Sequence, residues 1–406
     1  MGQRGMGVTV RTSTRRRGAA VALGLVAVLT LGACSSEPTV SASGTSGGGP
    51  TSAPATPQPA KLTVSPAAGA QDVPPGEPVG VQVADGTIVS VTLTNPDGKQ
   101  VQGQTSADKK SWNTTEQLGY GKTYTWSGSA TGENGRTVPI SGRFRTLAPE
   151  RQISGHLNVS DGETYGIAMP IALTFDSPVT DKLAVARALS VTTSKPTTGL
   201  WAWLDDETVH WRPSGYYQPG THVTVAANLY GVAFAPGVYG RDDISASFTI
   251  GRAQIVQANT RTHRMVVITN GKKRADYPAS FGLDSDPGRV TNSGTHVVLS
   301  RSQTVFMTNP KYHYFNLEVH WAVRISDNGE FIHAAPWSVG AQGRVNVSHG
   351  CVNLSTANAI AYYHSVLVGD PVEITGSTQH LGPSDGDYYD WTYTWAQWRA
   401  KAAVSA

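Results

Sequence analysis

Cysteine is almost missing from this chain: two in 406 residues, Cys34 and Cys351. That excludes a fold stapled by several disulfides, and it leaves no close cysteine pair for a structural zinc site. Charge is scarce as well. Asp, Glu, Lys and Arg make up 15% of the residues, against 44 Gly and 24 Pro. Such a mixture suits short strands joined by turns and argues against helical bundles. The apolar stretch near the N-terminus, "GAAVALGLVAVLTLGA", is too short and too one-sided in its flanking charge for an ordinary membrane span. Acidic residues are absent from the first 34 positions, which hold Arg4, Arg11, Arg15, Arg16 and Arg17. The remainder has 27 basic and 29 acidic residues, so the formal net charge of +3 belongs to the leader and gives no support for a nucleic-acid partner.

Residues 1–34 therefore read as an export signal, and "LGAC" at Leu31–Cys34 resembles a bacterial lipobox, in which the cysteine is lipidated. A plain signal peptide cleaved nearby is the blander reading. Residues 35–60 are Ser, Gly, Pro, Thr and Ala except for Glu37, Val40 and Gln58, a composition that cannot bury enough apolar surface to fold and so forms a tether. From 61 to 147, alternating segments such as "GTIVSVTLTNPDGKQV" predict a β-sandwich of roughly immunoglobulin size, about 100 residues, without the inter-sheet disulfide. A second such module spans 148–250. There "LWAWLDDETVHWRP" alternates around an Asp-Asp turn, with Trp201, Trp203 and Trp211 expected in the core rather than stacked on carbohydrate.

Residues 251–376 form a third unit. Asn270-Gly271 marks a hairpin, and "HWAVRISDNGEFIHAA" is a strand, an Asp-Asn-Gly turn, and a strand delivering His333. "STANAIAYYHSVLVGD" predicts a helix capped by Ser355, with Ile360, Tyr363 and Leu367 on one face and Gly369 as its stop. Residues 377–406 are rich in Trp. Trp395 and Trp398 are spaced i, i+3 on a short helix expected to pack back on the preceding domains, where with Trp391 it covers apolar surface.

The chemistry concentrates in "HAAPWSVGAQGRVNVSHGCVNLS", residues 333–355. A cysteine attacks an acyl carbon as thiolate, which requires a base, donors for the oxyanion and a rigid perch. Cys351 precedes the predicted helix, whose positive end favours an anion. Gly350 permits close backbone approach. The amides around His349, Gly350 and Cys351 would form an oxyanion hole, and His333 would serve as base and then as acid. Two other readings stand beside this one: an inert thiol with incidental histidines, and a zinc site of Cys351, His349 and His333, which lacks a fourth ligand.

His333, fourteen intervening residues, then Ser348-His349-Gly350-Cys351-Val352-Asn353 resembles the signature of the L,D-transpeptidases with a YkuD-type catalytic domain. The lipobox, tether, paired modules and Trp-rich tail are similar to the lipoprotein-type members of that family. The resemblance implies a mainly β fold: two immunoglobulin-like sandwiches, then a β-rich catalytic domain with one helix after the nucleophile. It implies Cys351 as nucleophile and His333 as acid/base, oriented by a backbone carbonyl such as that of Ala334. Ser348, His349 and Gly350 complete the catalytic set, with His349 and Gly350 on the oxyanion side. Asn353 lies near substrate, Met307 and Tyr312 in a lid, and Asn328, Gly329 and Trp337 at substrate-contacting positions. Phe315 is counted at a substrate-binding position but departs from the family, standing with Tyr314 beside it where a substrate-facing Tyr is usual. The implied reaction joins peptidoglycan stem peptides, a tetrapeptide donor and a diamino-acid acceptor, in a 3→3 cross-link with loss of D-Ala. It uses neither metal nor cofactor, and carbapenem β-lactams are the implied covalent inhibitors. Transfer to water, anchoring of proteins to the wall, and a wall-binding scaffold without activity are the alternatives. The lipid anchor would hold the protein on the outer face of the cytoplasmic membrane. All motif residues lie beyond residue 250, so the two modules are expected to act as a spacer for a catalytic unit that stands alone with its tail.

Overall fold

A computed structural model describes residues 56–386 and 388–404. Cys34, its leader and most of the tether lie outside the described residues. The chain enters the first core at Ala60, the last residue assigned to the tether, which is buried beside Trp126 and Phe144. Two antiparallel sheets enclose that core. One joins Lys61–Ser65, Gly80–Ala84, Ser111–Thr114 and Gly103–Thr105; the other joins Gly86–Thr94, Thr123–Gly132 and Thr137–Arg145. Trp112 and Trp126 meet edge to face across it at 5.5 Å, the arrangement that ring quadrupoles favour.

The second module repeats the two-sheet plan with a small three-stranded sheet added. Its hairpin Gly199–Trp203/Thr208–Pro213 sets Trp201 opposite Trp211. Trp203 and Trp211 are buried, and Trp201 packs half-buried against them, so these indoles fill the interior. Every residue of Thr208–Pro213 is buried. Successive side chains of a strand point to opposite faces, so a second layer must cover the face that carries His210 and Arg212. The C-terminal tail is that layer. Asp390 meets His210 at 3.0 Å. The Arg212 guanidinium lies 4.8, 5.6 and 4.9 Å from the rings of Trp391, Trp395 and Trp398, and gives an N–H to the Tyr393 carbonyl at 2.8 Å. Trp398, fully buried on the Trp395–Val404 helix, donates its indole N–H to the Leu200 carbonyl at 3.0 Å.

The third unit has two sheets. Five strands run in the order Lys272–Pro278, Arg264–Thr269, Gln254–Asn259, Pro371–Thr375, Gly294–Val297; four run Ser300–Asn309, Tyr314–Arg324, Phe331–Ala334, Val352–Leu354. Between them lie Val256, Met265, Phe281, Val323, Ile332 and Leu354. Asn270 and Gly271 both have positive φ, as a two-residue hairpin turn requires. The helix runs Thr356–Ser365 with Ser355 capping the Asn358 N–H, but its buried face is Ala359 and Tyr362, followed by Val366. Ile360 and Tyr363 are only half-buried and Leu367 lies past the helix end, so the expected face is rotated by one residue.

Catalytic unit and second module are continuous. Gly166 and Ala168 give their N–H groups to the carbonyls of Val368 and Gly369, and Ile255 and Val368 pack into the second module's core. A spacer role for that module is therefore too weak a description, because it covers apolar surface of the catalytic unit and holds the tail. Trp398→Ala is expected to cost about 3–5 kcal/mol, the usual range for removing a buried Trp, read by denaturant melts. A protein beginning at Gly251 should melt well below one beginning at Ala148; equal midpoints would contradict the bracing role.

Candidate active site

His333 stands on a strand that pairs in parallel with Val352–Leu354, and Cys351 immediately precedes the latter. Ile332 pairs with Val352 and His333 with Asn353, so Cys351 lies at the mouth of its strand. On the other side, His320 pairs with Ala334 and Val323 with Ile332, so Trp321 and Ala322 together oppose His333. This is a β-bulge, a device that re-aims a side chain beside a site. Trp321 adopts φ +55° there, a strained value for a non-glycine residue, held by packing on Tyr363 and His364.

The Nδ1 of His333 lies 2.9 Å from the Ala334 carbonyl. A carbonyl only accepts, so Nδ1 carries the proton and Nε2 of the neutral ring keeps its lone pair. Burial lowers the pKa of this imidazole, opposed by that hydrogen bond. Burial pushes the Cys351 thiol the other way, up to about 12; the Phe331 N–H beside the sulfur and the Arg324 charge lower it, and Glu330 raises it further. The resting pair is thus a neutral thiol and a neutral imidazole. The thiol points at the Gly329 carbonyl, 3.9 Å away.

Gly350 has φ +119°, a conformation that favours glycine. Its N–H turns to the Ser348 hydroxyl at 3.2 Å, which itself donates to the Cys351 carbonyl at 2.6 Å, while the Gly350 carbonyl accepts from Thr291. The Gly350 amide is thus engaged, contrary to its expected place in an oxyanion hole, whereas the N–H groups of His349 and Cys351 meet no acceptor among the described residues. The helix end is also farther than expected. The Val352–Leu354 strand separates Cys351 from Ser355, roughly 13 Å at about 3.3 Å per residue, beyond the first turn where a helix dipole acts.

Two cavities meet at Cys351. One, of about 360 Å³, is lined by Met307, Tyr312, Tyr314, His333, Trp337, Ser348, His349 and Asn353. The other, of about 480 Å³, is lined by Met307, Tyr314, Asn328, Gly329, Glu330, His349 and Gly350. The hairpin Ser300–Asn309/Tyr314–Arg324 overhangs both. Tyr312 and Tyr314 place their rings 4.9 and 5.4 Å from that of His349. Asn353 gives its amide to Ser338, so it braces the segment that carries Trp337. Asn328 is fixed by Asp385 at 2.9 Å.

Phe315 does not belong with this group. It is 63% exposed and lines neither cavity. Neighbouring residues on a strand face opposite sides, and here Tyr314 takes the inward side, its hydroxyl bonded to Asn309. The phenol that Phe315 lacks is thus present one position earlier. Sequence reasoning also missed Glu330 and Thr291; neither carries a local signal, because the turns that bring them to Cys351 are set by tertiary packing.

The comparisons agree with this geometry. A model of the bacterial Ig domain matches residues 70–233 as one unit, and a model of the L,D-transpeptidase catalytic domain, YkuD, matches residues 253–374. L,D-transpeptidase 5 of Mycobacterium tuberculosis (strain H37Rv) is 49% identical over 85% of this chain and 77% of its own length. L,D-transpeptidase 2 of Mycobacterium tuberculosis (strain CDC 1551) is 39% identical over 84% of each. A solved L,D-transpeptidase in complex with imipenem is 35% identical, covering 56% of this chain and 99% of that one with a TM-score of 0.47. With a catalytic-domain match that contains His333 and Cys351 and a relative 49% identical over 85% of it, the chain belongs to the L,D-transpeptidase family.

Proposed function

We propose that this L,D-transpeptidase forms 3→3 cross-links through a thioester on Cys351. The observation that carries the assignment of roles is the fixed His333 tautomer, whose free Nε2 shares a cavity with the thiol. Substrate binding brings the donor carbonyl to Cys351. Nε2 takes the thiol proton as sulfur attacks, so charge develops only when the unengaged amides of His349 and Cys351 can hold the oxyanion. The imidazolium then protonates the departing D-Ala amine. The acceptor amine approaches from the second cavity, attacks the thioester carbonyl and regenerates the thiol. Two openings onto one sulfur suit a two-substrate reaction better than hydrolysis.

Cys351→Ala should abolish cross-linking, and His333→Ala should lower it by roughly 10²–10⁴-fold, the worth of a positioned base, measured on defined stem peptides; turnover by Cys351→Ala near that of the parent would contradict the assignment. The neutral resting pair also sets a pH profile. Only the neutral imidazole takes the thiol proton, and burial holds His333 below its ordinary 6.5. Acylation should therefore fall only as pH drops below 6.5. It should show no alkaline limb near neutrality, because the thiol titrates near 12. A bell centred near pH 7 would indicate a preformed ion pair instead.

A strained β-lactam carbonyl presented to the same sulfur opens to a thioester, with the Met307–Tyr312 lid limiting water. Intact-protein mass spectrometry with a carbapenem should show a one-to-one adduct on the Cys351 peptide, absent in Cys351→Ser. An accessible thiol without an adduct would favour an inert scaffold. Lipidation of Cys34 would set the enzyme on the outer face of the cytoplasmic membrane. In support stand the leader charge, the apolar run and "LGAC". Cys34→Ser should release the protein from the membrane fraction or stall its processing; parent protein found soluble with an unmodified N-terminus would refute the anchor.

A further inference from the structure

Glu330 is a carboxyl that the chemistry above leaves unused. It follows Gly329, whose carbonyl faces the thiol, and precedes Phe331, whose N–H meets the sulfur. Its side chain is 6% exposed and lines the second cavity together with Asn328, Gly329, Gly350 and Cys351. Oε1 accepts the Asn292 N–H at 3.2 Å, while Oε2 meets no hydrogen-bond partner among the described residues. His296 stands behind it with Nδ1 3.7 Å from Oε2. That ring is committed elsewhere: Nδ1 faces the Ile325 carbonyl at 3.2 Å and Nε2 the Asn292 carbonyl at 2.9 Å. Both ring nitrogens thus face carbonyl oxygens, and neither lies within hydrogen-bond distance of Oε2. The side-chain amides of Asn292 and Asn328 are both spent on Asp385. Arg324, the other charged group on this wall, lies over the Phe331 ring and donates to the Ser326 and Asp327 carbonyls. An unpartnered carboxylate oxygen, buried in a residue that lines a polar cavity next to the nucleophile, is a receptor for a cation.

We propose that Glu330 receives the acceptor's ammonium in the second cavity and takes one of its protons, so that a neutral amine attacks the thioester. The proposal rests on the transpeptidation reading above. An ammonium cannot attack, since its lone pair is used. In the step, nitrogen loses one proton to Glu330 and forms the bond to the acyl carbon. The C–S bond breaks, and the second proton passes to sulfur. An amide, a thiol and a protonated carboxyl result, and the carboxyl returns its proton to solvent. Burial raises the pKa of Glu330 and Asp385 adds to that; His296, the Asn292 N–H and the Ser326 hydroxyl oppose it. Protonation of Glu330 also removes a negative charge that disfavours the thiolate, at the moment when sulfur must leave.

The test measures how one preformed acyl-enzyme partitions between aminolysis and hydrolysis, a ratio independent of how fast the acyl-enzyme formed. The probes are a stem tetrapeptide bearing a side-chain ammonium and hydroxylamine, which is uncharged at neutral pH. Glu330→Gln should lower the ratio for the ammonium acceptor about tenfold or more and leave that for hydroxylamine within about twofold. Because the substitution removes the carboxylate beside His296, the double variant H296N/E330Q is measured alongside and should show the same selective loss. An unchanged ratio for the ammonium acceptor overturns the proposal, as does an equal loss for both nucleophiles, which marks a structural role. Failure of the parent to form an acyl-enzyme would refute the transpeptidase reading itself.

Discussion

The hydrogen bond from His333 Nδ1 to the carbonyl of its own neighbour, Ala334, fixes everything else at this site. It needs no acidic third residue, because a carbonyl selects the tautomer without adding charge. An aspartate there would raise the imidazole's basicity and pull the thiol proton across at rest. With a carbonyl, the buried pair stays neutral, and the cost of separating charge in a poorly solvated pocket is met only when bound substrate places its developing oxyanion on the His349 and Cys351 amides. Such a thiol is protected between turnovers, because burial holds it as the neutral form.

That bond depends in turn on strand geometry. His333 faces the cavity because Trp321 and Ala322 bulge opposite it, and the bulge persists because the helix after the nucleophile supplies Tyr363 and His364 to hold Trp321. The same helix leads through Val368 and Gly369 to the second module. The tail then closes the path, tying Ser293 of the catalytic unit through Leu381 and Gln379 to the indoles around Arg212. The second module is thus part of the scaffold that keeps the bulge in place.

Much of this was legible in the residues. The spacing of His333 and Cys351, the Asn270-Gly271 hairpin and the Ser355 cap are local signals, and local chemistry dictates them. Less legible were features decided by distant packing. The face of the helix is set by which side the two sheets leave open, so Tyr362 rather than Tyr363 is buried. Tyr314 rather than Phe315 faces the site because an irregular hairpin fixes the alternation, with His313 and Asn316 both at positive φ. Arg212 reads as an ordinary strand residue until the tail, some 180 residues on, wraps it in indoles.

The central claim is that acyl transfer passes through sulfur in a site open to two substrates, and trapping the intermediate tests it most directly. The parent protein is mixed with a defined stem tetrapeptide, quenched in acid at short times, and analysed by peptide mass spectrometry. The account predicts a transient tripeptide acyl group on the Cys351 peptide, one equivalent of D-Ala released with it, and decay of that adduct in step with growth of the cross-linked dimer. Dimer formation with no thioester on Cys351, or an adduct that decays only to free tripeptide at saturating acceptor, would contradict it.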